Sequence, residues 1–177
     1  MEKIIVLLRG INVGGHRRLP MAELRAAAQE ARIGDFETYI QSGNLIFSAE
    51  NAAAAEDIVE ALVEKRFGLK VEAIARTASQ WAVYAKGSPF PDADERGNLV
   101  HLGLSKQKPN HAIADILMAR AAHGETVVVA GDALWIDFKD GVANTRLSPA
   151  FLDKALGSTV TMRNWRTVLK LAELAEA

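Results

Sequence analysis

The segment Gly10-Ile11-Asn12-Val13-Gly14-Gly15-His16-Arg17-Arg18 carries residue types suited to holding an anion. A Gly-rich turn between a strand and a helix can aim several backbone N–H groups at one negative charge. Arg9, Arg17 and Arg18 add positive charge to it. Gly10 and Gly15 have the G-x-x-x-x-G spacing of a phosphate-binding loop, but His16 and Arg17 stand where that loop needs Lys and Ser or Thr. Asn12 stands where a dinucleotide fingerprint needs its second glycine. Both nucleotide motifs are excluded. An anion cradle remains, beside the plainer reading of a demanding β–α turn flanked by exposed arginines.

Two further segments carry polar groups at telling positions. Gln41-Ser42-Gly43-Asn44 sits between two apolar runs, where a Gly-Asn pair suits a two-residue hairpin turn. Ser42 and Asn44 are then either turn chemistry or ligand hydrogen-bonding groups at the sheet edge. Ser42 lacks the G-x-S-x-G setting of a nucleophile. Near the C-terminus, Arg163, Asn164 and Arg166 fall at the start of a helix, whose positive dipole end opposes arginine unless something negative is present. The alternative there is that Asn164 caps the helix, Trp165 is core and the arginines pair with carboxylates. One source is residues 50–64, with five acids and no bases.

Other catalytic chemistry is missing. His16, His101, His111 and His123 lack metal-ligand spacing, and no H-E-x-x-H or EF-hand loop occurs. There is no cysteine to serve as nucleophile, thiolate ligand or disulfide. No cofactor is expected. Stacking of nucleic-acid bases on a sheet needs exposed aromatics. Trp135 and Phe138, three apart, point to opposite sides of their strand region.

The elements that position these residues follow from pattern. Ile4–Leu8 reads as a strand buried on both faces. Pro20 starts a helix with Met21, Leu24, Ala27 and Ala28 at helical spacing. Strands are predicted at Phe36–Gln41 and Leu45–Ser48, a helix at 52–67, and a strand at Val71–Ala75. This β-α-β-β-α-β order is that of a ferredoxin-like unit. The order recurs with strands from Asn98, Glu125, Ala133 and Thr159, helices at 110–122 and 149–156, and a hairpin pair at Gly131-Asp132. The predicted fold class is α+β: two tandem ferredoxin-like (βαββαβ) units, residues 1–80 and 98–177, joined by a linker at 81–97. That linker reads as a short helix followed by an exposed acidic loop. An extra C-terminal helix, with Trp165, Val168, Leu169 and Ala172 on one stripe, closes the join.

Composition sets the limits. The 177 residues are 49% hydrophobic and 24% charged, with a formal net charge of −1. This describes a globular chain and argues against a general polyanion or membrane-surface binder. The charge is unevenly spread, however. Residues 1–20 carry four bases and one acid, and residues 141–170 five bases and one acid. The apolar run Ile4–Leu8 is too short for a signal peptide or a membrane span, so a cytoplasmic protein is expected.

Three of these segments together carry a resemblance. Arg9-Gly10-Ile11-Asn12-Val13-Gly14-Gly15 with Met21-x-x-Leu24, Tyr39-Ile40-Gln41-Ser42-Gly43-Asn44-Leu45-Ile46-Phe47, and Thr161-Met162-Arg163-Asn164-Trp165-Arg166-Thr167-Val168-x-Lys170-Leu171 are similar to the signatures of a mostly bacterial family catalogued as domain of unknown function 1697. The resemblance implies two ferredoxin-like units and brings no established activity, cofactor or substrate.

The functional expectation is a small phosphate- or carboxylate-bearing ligand held in a cleft joining the three motifs. Its ligand-binding residues would be Arg9, Asn12, Gly14, Gly15, Arg17, Ser42, Asn44, Arg163, Asn164 and Arg166. Any catalysis would be electrostatic. The alternative is a non-enzymatic nucleic-acid or protein-interaction module using the same basic residues. Neither reading assigns a membrane partner or an oligomeric state.

Overall fold

The computed structural model describes all residues, Met1–Ala177. It is an α+β chain with two four-stranded antiparallel sheets and six helices. The chain divides into two compact units, Met1–Val83 with Leu171–Ala177, and Tyr84–Lys170.

The first unit contains β1 (Glu2–Leu8), α1 (Met21–Glu30), β2 (Glu37–Tyr39), β3 (Asn44–Ala49), α2 (Ala52–Phe67) and β4 (Ala73–Thr77), followed by α3 (Ala78–Lys86), within which the division falls. The sheet order is β2-β3-β1-β4. The central strand β1 is buried on both sides, as its unbroken apolar run requires. Ile4, Val6 and Leu8 pack with Leu24, Phe47, Val59 and Val63 in one core, while Ile5 and Leu7 on the other face are equally buried. Asn51 starts α2 by accepting a hydrogen bond from the Ala54 N–H at 2.9 Å, and Gly68 ends it in the left-handed region.

The edge strand β4 begins two residues later than the predicted Val71, because register against β1 pairs Leu8 with Ala73 and Ile4 with Thr77. Its outward backbone donors are met by side chains. Ala73 N–H donates to Glu60 Oε1 at 2.9 Å, Ala75 N–H to Glu56 Oε1 at 2.8 Å, and Thr77 N–H to Gln80 Oε1 at 2.9 Å. Two acids from the cluster at 50–64 are thus occupied in closing a sheet edge.

The second unit contains β5 (Val100–Ser105), α4 (Ile113–Arg120), β6 (Thr126–Ala130), β7 (Ala133–Asp137), α5 (Pro149–Leu156) and β8 (Val160–Asn164), and α6 (Trp165–Glu176) starts in it. The sheet order β6-β7-β5-β8 matches that of the first unit position by position. Asp153 of α5 accepts from Val160 N–H at 2.9 Å, the same kind of edge closure as on β4. A helix follows the fourth strand in both units, α3 after β4 and α6 after β8. The C-terminal helix is therefore not an addition to the repeated order, since it has a counterpart in α3.

From Tyr84 on, the segment predicted as a linker is built into the second unit, while its acids Asp92, Asp94 and Glu95 are exposed as expected. Tyr84 donates to Asp132 Oδ1 at 2.7 Å, and Trp165 Nε1 donates to Asp94 Oδ1 at 2.7 Å. Arg96 donates both terminal nitrogens to the two oxygens of Asp137, which is fully buried in β7. Lys139 Nζ also lies 2.6 Å from Asp137. Burial alone would raise the Asp137 carboxyl, but these two cations hold it below its ordinary value.

Candidate functional site

The first motif forms a small β-hairpin projecting from the end of β1. Asn12 N–H donates to Arg17 O at 3.1 Å, and His16 N–H to Val13 O at 3.0 Å. Gly14 and Gly15 are the two central residues, with φ of 57° and 79°, the signature of a type I′ turn. No atom lies within 4 Å of where their Cβ atoms would be. Asn12 and Arg17 at the base of this finger also have positive φ, 53° and 50°. Val13, His16, Arg17 and Arg18 are exposed.

Asn12 holds the base. Its Nδ2 donates to Leu19 O at 2.9 Å and to Gln41 O at 2.7 Å, and its Oδ1 accepts from Leu19 N–H at 2.8 Å. One side chain therefore closes the first motif and ties it to the second. Arg17 Nη2 donates to Lys70 O, which anchors the guanidinium to the turn before β4. Arg9 is half-buried, with its N–H on Glu72 O at 3.0 Å. Asn12→Ala removes three hydrogen bonds to backbone groups, two of them partly buried. A loss of about 2 kcal/mol is expected, with the protection of the Leu19 amide against hydrogen exchange falling with it. Unchanged Leu19 protection would contradict the role given to Asn12.

The second motif departs from the expected two-residue turn. Tyr39 pairs with Asn44, so the hairpin loop is Ile40-Gln41-Ser42-Gly43, with positive φ at Ile40 and Gly43. Asn44 is the first residue of β3 and fully buried. Its Nδ2 donates to Tyr39 O at 3.0 Å and to Ser42 Oγ at 3.1 Å. Asn44 is thus an internal brace of the loop, while Gln41 and Ser42 are exposed. Gly43 is buried and donates no side chain; its carbonyl accepts from Leu8 N–H at 2.8 Å.

The third motif lies in the second unit. Arg163 is within β8, opposite Leu102, rather than at an exposed helix start. It is buried, donating to Thr161 Oγ1 at 2.9 Å and Met162 O at 2.8 Å, and burial lowers its guanidinium to about 10. Asn164 caps α6 as expected, its Oδ1 accepting from Thr167 N–H at 2.9 Å. Arg166 is exposed on α6, and its stem passes so close to Gly97 that a Cβ there would lie 2.7 Å from Arg166 Cγ.

The aromatics that a base-stacking platform would need are interior. Trp135 lies 5.8 Å from Trp165, centroid to centroid, and Phe138 lies edge-on to His101 at 5.0 Å. Both are buried. Burial also lowers the His101 imidazole below its ordinary value. No group of three His, Cys, Asp or Glu side chains is placed to hold a metal ion. No helix is long and apolar enough to cross a membrane.

Two four-stranded antiparallel sheets, with a glycine-rich basic finger at the end of the first strand, define an α+β protein. The chain belongs to the family described as Protein of unknown function (DUF1697), which matches residues 1–135. Its fold is similar to that of the conserved bacterial protein SP0830 from Streptococcus pneumoniae, with a TM-score of 0.69 and 17% identity over 98% of each chain. No curated protein matches it.

Proposed function

We propose that this is a cytoplasmic bacterial protein of two tandem ferredoxin-like units that binds a small phosphate- or carboxylate-bearing ligand at the basic finger of the first unit. The observation that carries this reading is the preorganised finger itself. Residues 9–19 hold three arginines and no acid, and Asn12 fixes the base of the finger with three hydrogen bonds. A rigid loop loses little entropy when it closes on a ligand. Arg17 and Arg18 supply the charge-assisted contacts. Gly14 and Gly15 leave open space for close approach, and Ser42 supplies a hydroxyl from the adjoining loop. Asn12 and Asn44 support these groups from behind. Arg163 and Asn164, engaged within the second unit, serve its packing and helix capping.

The test is thermal unfolding with a panel of nucleotides, sugar phosphates and carboxylates. A ligand of the site raises the melting temperature with its concentration, and Arg17→Ala with Arg18→Ala removes the rise. The nucleic-acid alternative predicts the opposite pattern: no rise with any small anion, and binding to RNA or DNA that weakens steeply with salt. The buried Trp135 and Phe138 count against that alternative.

A further inference from the structure

The two edges of the first sheet are finished differently. On β4, the outward N–H groups of Ala73, Ala75 and Thr77 are all taken by side chains. On β2 they are not. Leu8 N–H bonds Gly43 O, so alternate residues of β3 from Gly43 face β1, and Asn44, Ile46 and Ser48 face β2. Ser48 N–H, donating to Asp35 Oδ1 at 3.1 Å just past the end of β2, fits this parity. Asn44 and Ile46 pair with Tyr39 and Glu37, which leaves the backbone N–H and C=O of Thr38 pointing outward. No backbone hydrogen bond outside the sheet reaches them.

Beside this edge, along the exposed face of α1, runs a groove of about 690 Å³. Ala22, Ala26 and Phe36 give it an apolar floor, and Arg25, Gln29 and Arg32 line it with donors. No carboxylate lines it, and Glu30 is engaged with Arg66 at 3.7 Å. Arg25 stands in α1 and Arg32 in the turn that follows it, where its φ is +59°. Arg25 reaches across to donate to Thr38 Oγ1, which holds a guanidinium beside the open edge.

We infer that this edge and groove bind an extended acidic peptide segment as a fifth strand on β2. The outward N–H and C=O of Thr38 pair with the peptide backbone. Carboxylates on alternate peptide residues, about 7 Å apart on one face of a strand, meet Arg25 and Arg32. Small apolar side chains lie over Ala22 and Ala26. Strand addition of this kind takes affinity from the backbone and specificity from side chains, and a groove bearing two arginines and no acid selects carboxylates. This surface is separate from the basic finger.

The test titrates the full-length protein into a fluorescein-labelled nine-residue peptide of alternating glutamate and valine and reads anisotropy. Saturable binding is expected, with none to the lysine-for-glutamate peptide. Arg25→Ala with Arg32→Ala should weaken it at least about tenfold. Thr38→Pro, which removes the outward donor from the ladder together with the hydroxyl that holds Arg25, should weaken it similarly. A peptide N-methylated on the backbone amides of one edge should fail with the unaltered protein, an arm that does not depend on any variant folding. Arg17→Ala with Arg18→Ala should leave binding unchanged, so the finger reading can fail without this one. Absence of binding, equal binding of the N-methylated peptide, or indifference to the Arg25 and Arg32 replacements would each overturn the inference.

Discussion

Replacing Arg96 with methionine is expected to destabilise the second unit by about 3–4 kcal/mol at neutral pH, read as a lower urea midpoint. Asp137 is fully buried in β7 and takes both terminal nitrogens of Arg96, at 2.7 and 2.5 Å. Removing one member of such a pair leaves the other charge buried with too few partners, which is more costly than never having had the pair. Lys139 remains at 2.6 Å on a side chain about half exposed, so the loss falls short of a fully orphaned carboxylate. The pH dependence carries a sign. In the parent protein Arg96 and Lys139 hold the folded-state pKa of Asp137 below its ordinary value, against the opposing effect of burial. Its contribution is present above the unfolded value and lost as pH falls through the folded one. In Arg96→Met, burial dominates and the folded pKa rises, so the deficit is largest at neutral pH and shrinks on acidification. Arg96→Lys keeps the charge without the two-pronged geometry and should fall between. A loss under about 1 kcal/mol in Arg96→Met would mean that Lys139 alone suffices.

Gly43→Ala is the second large effect, expected near 3 kcal/mol. Gly43 has φ of +81°, and a Cβ there would lie 2.7 Å from Ile11 Cδ1 and 2.8 Å from Leu8 Cβ. Leu8 belongs to the central strand and cannot withdraw its Cβ without moving the sheet. Left-handed strain and overpacking therefore add, each of order 1–3 kcal/mol. Gly15→Ala separates the two contributions. Its φ is +79°, but nothing lies within 4 Å of the new Cβ. It should cost only the conformational part, about 1 kcal/mol. Equal losses from the two substitutions would show that crowding against Leu8 contributes nothing. The same comparison explains why a glycine belongs in the second motif without any ligand.

The order of elements was legible in the sequence because it rests on periodicity and punctuation. Ile4–Leu8, the helix ending at Gly68 and the Gly131-Asp132 turn all carry local signals, and Ala130 does pair with Ala133 across that turn. Register was not legible. Gly43-Asn44 looks like the same turn, yet Tyr39 pairs with Asn44, because Ile40 takes the positive φ at the other end of a four-residue loop. Its consequence is functional: a side chain expected at the surface becomes a buried brace. Arg163 illustrates the same limit. One position in β8 decides between an exposed helix start and the interior, and only pairing with β5 decides it. Glu56 and Glu60, in the acidic stretch, also accept from backbone N–H groups that face them only once β4 lies at an edge. Within the proposed site, the charge and the glycines were visible in sequence. The clamp from Asn12 to Gln41 joins residues 29 apart and depends on where two loops meet.

The carboxylates on β4 also govern what the first sheet can become. A sheet open at both edges is a template that copies itself, since each added strand presents a fresh edge for the next. Here Glu56, Glu60 and Gln80 occupy the donors on one side, so two copies cannot stack edge to edge in a repeating direction. Growth stops after a single addition. Loss of the two glutamates would reopen the donors of Ala73 and Ala75 to a neighbouring strand, with only Thr77 still covered by Gln80.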